Sequence, residues 1–341
     1  MQNEKRMPRY QRSRKIEAEQ EYLRGLLEPV EQQAIPAGSD LKKTKLPVVF
    51  IMGCPRSGTT LLLQYLASSR AFAYPTNFLS RFYYAPYVGA RIQRMLYEYD
   101  TTGEICPTAD HAAGSYDSNL GKTQGPLAPH EFWYFWRQHL QFGETQYLSA
   151  ENLAASDGAS FSAELRALHS LYNKPFVMKG MLLNWNIPFL ASLFPESRFL
   201  FIQRDSYQNA NSLLRARRTF FGDTKRWYSM KPPDVEQIVG EPPEVQVAWQ
   251  VMETNAAITA GLDQLEGDRF LRIQYEDFCS MPKGTLQAIN DYRYPLDYSP
   301  EDLPARFSVS EPDHSELSVC DAHFERAAAL TTQFSSRHGA E

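Results

Sequence analysis

The chain has 341 residues, 43% hydrophobic and 22% charged, a composition of folded globular proteins and a length that allows one elaborated core or two domains. Lys and Arg number 35 against 40 Asp and Glu, a formal charge of −5, so no global field favours nucleic acid and any anion site must be assembled locally. No run approaches the ~20 apolar residues of a membrane span.

Residues 1 to about 45 are highly charged. Lys5, Arg6, Arg9, Arg12, Arg14 and Lys15 are not followed by an apolar signal core. Ile16, Leu23, Leu26 and Leu27 predict an amphipathic helix ending near Pro36-Ala37-Gly38. Acidic residues interrupt its basic face, which reads as an arm packed on the main domain rather than a membrane-binding helix. Cys54, Cys106, Cys279 and Cys320 form no CxxC pair, and the sequence holds no Asn-x-Ser/Thr sequon. Reduced thiols in a cytoplasmic protein are the expectation.

The run Leu46 to Met52 is apolar and rich in β-branched residues, and predicts a buried strand. A turn from Gly53 to Gly58 and a helix from Thr59 to Leu66 follow. Phe176–Met178, Arg198–Ile202 and Arg269–Ile273 predict three more strands. Helical spacing at Ile187, Leu190 and Leu193, stopped by Pro195, precedes the third strand, and a helical run from Val245 to Leu265 precedes the fourth. Such alternation predicts an α/β fold, a parallel sheet flanked by helices. The expected division is an arm over 1–45, a single domain over 46–295 with an insertion at about 70–170, and a C-terminal extension over 296–341. Residues 231 to 243, rich in proline, read as an irregular loop.

Gly53-Cys54-Pro55-Arg56-Ser57-Gly58-Thr59-Thr60 joins the first strand to the first core helix. Glycines let the backbone close around an anion, and the N–H groups and dipole of the helix start stabilise its charge. The spacing follows the P-loop pattern GxxxxGK[ST] except that Thr59 stands where the lysine belongs. Without that point charge ATP chemistry is disfavoured. Arg56 offers instead a planar fork of donors suited to a smaller anionic group.

The segment Pro55-Arg56-Ser57-Gly58-Thr59-Thr60-Leu61 resembles the 5′-phosphosulfate-binding loop of sulfotransferases that use 3′-phosphoadenosine 5′-phosphosulfate (PAPS). The resemblance implies a P-loop-type sheet, with Arg56, Ser57, Gly58, Thr59 and Thr60 binding the cofactor. Arg204 ends the third strand and Ser212 follows eight positions later, which resembles the family's 3′-phosphate motif, with Ser206 in place of its usual proline. An ordinary ion pair is the alternative for a strand-end Arg. Between Arg204 and Lys231 seven basic residues face two acids, a local positive patch. Tyr275-Glu276-Asp277 is similar to the family segment whose tyrosine contacts adenine, although Tyr275 could equally be a core residue.

In this family the sulfonate passes to an acceptor hydroxyl or amine, and adenosine 3′,5′-bisphosphate (PAP) leaves; no metal is expected. Lys179 matches the lysine near the transferring sulfonate. The catalytic histidine of cytosolic animal members is replaced by Met181, which takes no proton. The glutamate that tyrosylprotein sulfotransferases place after the loop helix is missing from Tyr74-Pro75-Thr76-Asn77. Glu131, ahead of the aromatic run Phe132 to Trp136, resembles the base segment of some carbohydrate sulfotransferases, and His130 is the second candidate. A carboxylate beside apolar rings would be a stronger base. A helix-capping Glu is the plainer alternative.

The aromatic residues of that run, with Tyr83, Tyr84 and Tyr87, could line a cleft for a glycan, a glycolipid, a polyketide or a small alcohol. The rival readings are a P-loop kinase and a PAPS-fold protein that binds PAP without turnover. The sequence leaves the oligomeric state open.

Overall fold

The computed structural model describes residues 6–35, 46–104, 116–291, 303–309 and 318–338. The expected helix stop at Pro36-Ala37-Gly38, Cys106 and the start of the C-terminal extension lie outside them. A 3₁₀ turn at Pro8–Tyr10 leads into α1 (Arg14–Ala34), then β1 (Val48–Met52) and α2 (Thr59–Ser68). The insertion contributes α3 (Pro86–Gln93), α4 (Trp133–His139), α5 (Ala150–Ala154) and α6 (Gly158–Ser170) before β2 (Phe176–Lys179). Next come α7 (Ile187–Leu193), β3 (Arg198–Gln203), α8 (Ser206–Phe221), α9 (Val235–Ile238) and α10 (Pro243–Asp263). β4 (Phe270–Gln274), α11 (Tyr275–Ser280), α12 (Pro282–Asp291) and α13 (Asp321–His338) complete the order.

The four strands are parallel in the order β2-β1-β3-β4, and Phe50 lies opposite both Met178 and Phe199. Alternation along the strands sorts the apolar residues into two cores. Val48, Phe50 and Met52 join Phe176, Met178, Phe199 and Phe201 against Phe135, Trp136 and Phe161. Val49, Ile51, Val177, Leu200 and Ile202 face Leu62, Leu63, Tyr65 and Leu66 of α2. Burial on both faces explains the near-continuous apolar strands. With β1 in the interior and successive strands laid on opposite sides of it, the C-terminal ends of β1 and β3 open beside one another, where ligands collect in such sheets.

The expected strands are present within one or two residues. Arg269 stands one residue ahead of β4, its carbonyl still accepting the Phe199 N–H at 2.9 Å, while its guanidinium donates to the carbonyls of Ala191, Phe194 and Ser197. The proline-rich stretch 231–243 contains α9, whose Val235 and Ile238 are buried. Helix α1 forms as expected, yet Ile16 and Leu26 stay exposed at 44% and 53%. Leu23 and Leu27 are half-buried, and a carboxylate supplies a further anchor. Buried Glu31 accepts the N–H groups of Tyr87 at 2.7 Å and Val88 at 2.9 Å, at the open N-terminus of α3. Helix α13 docks by burying Ala327 and Leu330, with Thr331 Oγ1 donating to Glu253 at 2.6 Å. Among the described residues no helix is long and apolar enough to cross a membrane.

Candidate active site

The loop after β1 bends through two left-handed residues, Arg56 at φ 72° and Gly58 at φ 102°. Gly58 is required twice over: its φ disfavours a side chain, and a Cβ would stand 2.3 Å from the ring of Tyr275. Ser57 Oγ is fully buried and, among the described residues, has no hydrogen-bond partner. Two amides hold the loop from below. Asn184 Nδ2 donates to the Gly53 carbonyl at 3.0 Å, and Asn209 Nδ2 donates to the Pro55 carbonyl at 2.7 Å.

Arg204 and Ser212 converge on this loop. Arg204 Nη1 lies 3.4 Å from the Arg56 carbonyl oxygen, and its guanidinium sits over the Tyr275 ring, 4.8 Å from the centroid. Ser212 Oγ accepts from Arg56 Nε at 3.3 Å. Asp205 caps α8 by accepting the Gln208 N–H at 2.9 Å, while Glu276 accepts the Asp205 N–H at 3.1 Å and ties α8 to α11. Tyr275 is thus wedged between Gly58 and Arg204, and burial pushes its hydroxyl up to about 12.

Lys179 lies two residues past Val177 on the α2 side of the sheet, and its side chain is 3% exposed. Nζ donates to Thr60 Oγ1 at 2.6 Å and to Glu131 Oε1 at 2.7 Å. The ammonium that the loop itself lacks therefore arrives from β2. Glu131 precedes α4 instead of capping it. Phe132 adopts φ 57°, and its N–H is taken by His130 Nδ1 at 2.9 Å, so the chain kinks and turns the carboxylate toward Lys179 rather than into the rings. Burial, ahead of the opposing influence of Glu131, lowers His130 to about 4. A neutral ring accepting at Nδ1 keeps its proton on Nε2 and has no lone pair left for another.

Sequence reasoning missed the turn Asn119–Lys122. Asn119 and Lys122 exchange backbone hydrogen bonds, with Leu120 and Gly121 at φ 50° and 85° between them. A Cβ on Gly121 would stand 3.0 Å from Glu131 Oε1, so the turn walls the carboxylate. Its signal was the Asn-x-Gly sequence; its partner could not be read locally. Tyr228 was missed too. Burial pushes its hydroxyl up to about 12, with Arg56 opposing and Glu131 and Tyr10 adding to the shift. Of the aromatic residues expected to line a cleft, Phe132, Phe135, Trp136, Tyr84 and Tyr87 are buried in the core, whereas Tyr83 and Tyr134 pair their rings at 5.2 Å and stay partly exposed. Among the described residues no group of three or more His, Cys, Asp or Glu side chains is arranged to hold a metal ion.

A family model described as "Sulfotransferase family" matches residues 47–293. The chain belongs to the sulfotransferase family.

The sulfotransferase is 23% identical, over 255 residues, to omega-hydroxy-beta-dihydromenaquinone-9 sulfotransferase Stf3 of Mycobacterium bovis and of Mycobacterium tuberculosis. The match covers 71% of this chain and 61% of those relatives, so it spans under two thirds of their length. In fold the chain is similar to the crystal structure of sulfotransferase STF9 from Mycobacterium avium, with a TM-score of 0.56 at 12% identity over 94% of this chain and 84% of that one. The P-loop-type sheet of a sulfotransferase is therefore the framework on which Arg56, Lys179, Arg204, Ser212 and Glu131 are placed.

Proposed function

We propose that this sulfotransferase takes its sulfonate from PAPS and passes it to an acceptor hydroxyl, with Glu131 as the base. The observation that carries the reading is the ammonium of Lys179, which touches the loop through Thr60 and the carboxylate through Glu131. One cation joins the donor side to the acceptor side.

The residues fit a phosphosulfate. The orphaned Ser57 hydroxyl, the α2 N–H groups and Arg56 offer donors inside the loop, and Arg204 with Ser212 offers a second anchor beside it. When bound, PAPS supplies an activated sulfonate and a PAP leaving group. Arg56 and Thr60 orient the 5′ end, while Lys179 offsets the negative charge that develops on the oxygen released from sulfur. Glu131 Oε1 is held by Lys179, and Oε2 takes the proton as the acceptor oxygen bonds to sulfur in line with the bond that breaks. The work of the protein is placement and fixed charge, with no covalent intermediate.

The acceptor named for the Stf3 relatives is an omega-hydroxy menaquinone, a hydroxyl on a lipid. That supports a hydroxyl acceptor for this chain, with lipid-linked and carbohydrate alcohols as the classes to screen. A cytoplasmic setting belongs to the same proposal, and the described cysteines, Cys54, Cys279 and Cys320, are free thiols. The test is transfer of labelled sulfonate from PAPS to such a panel. Turnover by the wild type that Glu131→Gln abolishes supports the reading. PAP binding with no transfer to any alcohol favours a binder without turnover.

A further inference from the structure

The segment ahead of α1 reaches the acceptor side. The Met7 N–H donates to the Phe220 carbonyl at 2.9 Å, and the Tyr10 ring packs 5.0 Å from that of Phe220. Tyr10 is 2% exposed, and its hydroxyl donates to Asn119 Oδ1 at 2.8 Å. Residues 6–12 therefore strap the end of α8 to the Asn119–Lys122 turn, whose Gly121 adjoins the Glu131 carboxylate.

Cations line this strap. The Arg6 guanidinium lies 5.3 Å from the centre of the Phe220 ring, Arg12 lies 4.8 Å from that of Tyr134, and Lys122 Nζ lies 5.6 Å from that of Tyr10. They act on one another: Lys122 is lowered by partial desolvation, then by Arg6 and Arg12, with Glu131 opposing, and Arg6 by desolvation, then by Arg12, with Tyr134 and Glu17 opposing. Arg12 has Glu17 at 3.6 Å, whereas among the described residues neither Arg6 nor Lys122 has an ion-pair partner. Like charges gathered on aromatic faces repel unless an anion joins them. The donor's phosphates have their own partners in Arg56, Arg204 and Ser212.

We propose that Arg6, Arg12 and Lys122 form an anion subsite that takes a carboxylate or phosphate carried by the acceptor itself. It rests on the sulfotransferase reading above and narrows the acceptor to a hydroxylated amphiphile with an acidic group. The partly exposed rings of Phe220 and Tyr134 offer apolar faces to its carbon skeleton.

Calorimetry on the full chain saturated with PAP tests it. Should PAP not bind, the donor-site reading falls and takes the subsite with it; the remaining arms test the subsite alone. With PAP bound, octanoate or octyl phosphate should bind roughly tenfold tighter than octanol or inorganic phosphate. Arg6→Met and Lys122→Met should each remove about threefold of that affinity, and Lys122→Arg should keep it. Equal binding of octanol, wild-type affinity in both Met variants, or no binding of either amphiphilic anion overturns the subsite. Inorganic phosphate binding as tightly as octyl phosphate makes it a free-anion site and overturns the acceptor assignment.

Discussion

Arg56 Nε donates to Ser212 Oγ at 3.3 Å, across 156 positions of sequence. The bond joins the loop after β1 to the helix after β3, and with the Arg204 contact to the Arg56 carbonyl it makes both anion motifs parts of one surface. Arg56→Ala and Ser212→Ala should each weaken PAP binding roughly tenfold, the scale of one hydrogen bond to a charged group. Because the residues touch, the double variant should lose less than the two losses together. Full additivity in calorimetry would show that they bind independently.

Glu131 and Lys179 should separate in kinetics. Glu131→Gln keeps an acceptor for the Lys179 ammonium but cannot take a proton, so kcat should fall on the order of 10²–10⁴ with PAP affinity unchanged. Lys179→Met removes fixed charge and should cost on the order of 10²–10³ in kcat/KM. Near-normal turnover of Glu131→Gln would move the base elsewhere.

Gly121 should matter to chemistry more than to folding. Its φ of 85° disfavours a side chain, and a Cβ would press on Glu131 Oε1 at 3.0 Å. Gly121→Ala should cost about 1 kcal/mol or more of stability, read by urea denaturation. Its kcat should fall at least roughly tenfold, the effect of misplacing a catalytic group. A variant with wild-type kcat would mean that the carboxylate is not held by this turn.

His130 should act on acid stability. Its folded pKa, about 4, lies below the unfolded value near 6.5, so the unfolded chain binds the proton that the folded chain refuses. Its contribution is therefore whole above the unfolded value and is lost as pH falls toward 4. His130→Asn, whose amide oxygen can still accept the Phe132 N–H, does not titrate. The stability of the wild type relative to this variant should drop from pH 6.5 to 4, and a constant difference would contradict the half-buried neutral ring.

The fold was legible where burial alone shapes the sequence. Phe50, Phe199 and their neighbours are apolar on both faces because helices cover both, and the glycine and arginine of the loop record a local bend around an anion. Side chains whose roles depend on distant partners were not legible. Asn184 and Asn209 look like ordinary helix-edge amides until they are seen under the Gly53 and Pro55 carbonyls. Glu131 reads as a helix cap because nothing nearby announces the left-handed Phe132 that turns it to Lys179. Glu31 interrupts an amphipathic pattern, and only the exposed N–H groups of α3 explain a carboxylate there.

The donor is tested most directly by thermal shift with PAP, AMP, and ATP with Mg²⁺, on the wild type and on Arg204→Ala. Marked stabilisation by PAP, little by AMP or ATP, and its loss in the variant are the expected results, since only PAP carries a phosphate for each anchor. Equal stabilisation by ATP, or a PAP response indifferent to Arg204, would contradict the doubly anchored phosphosulfate site.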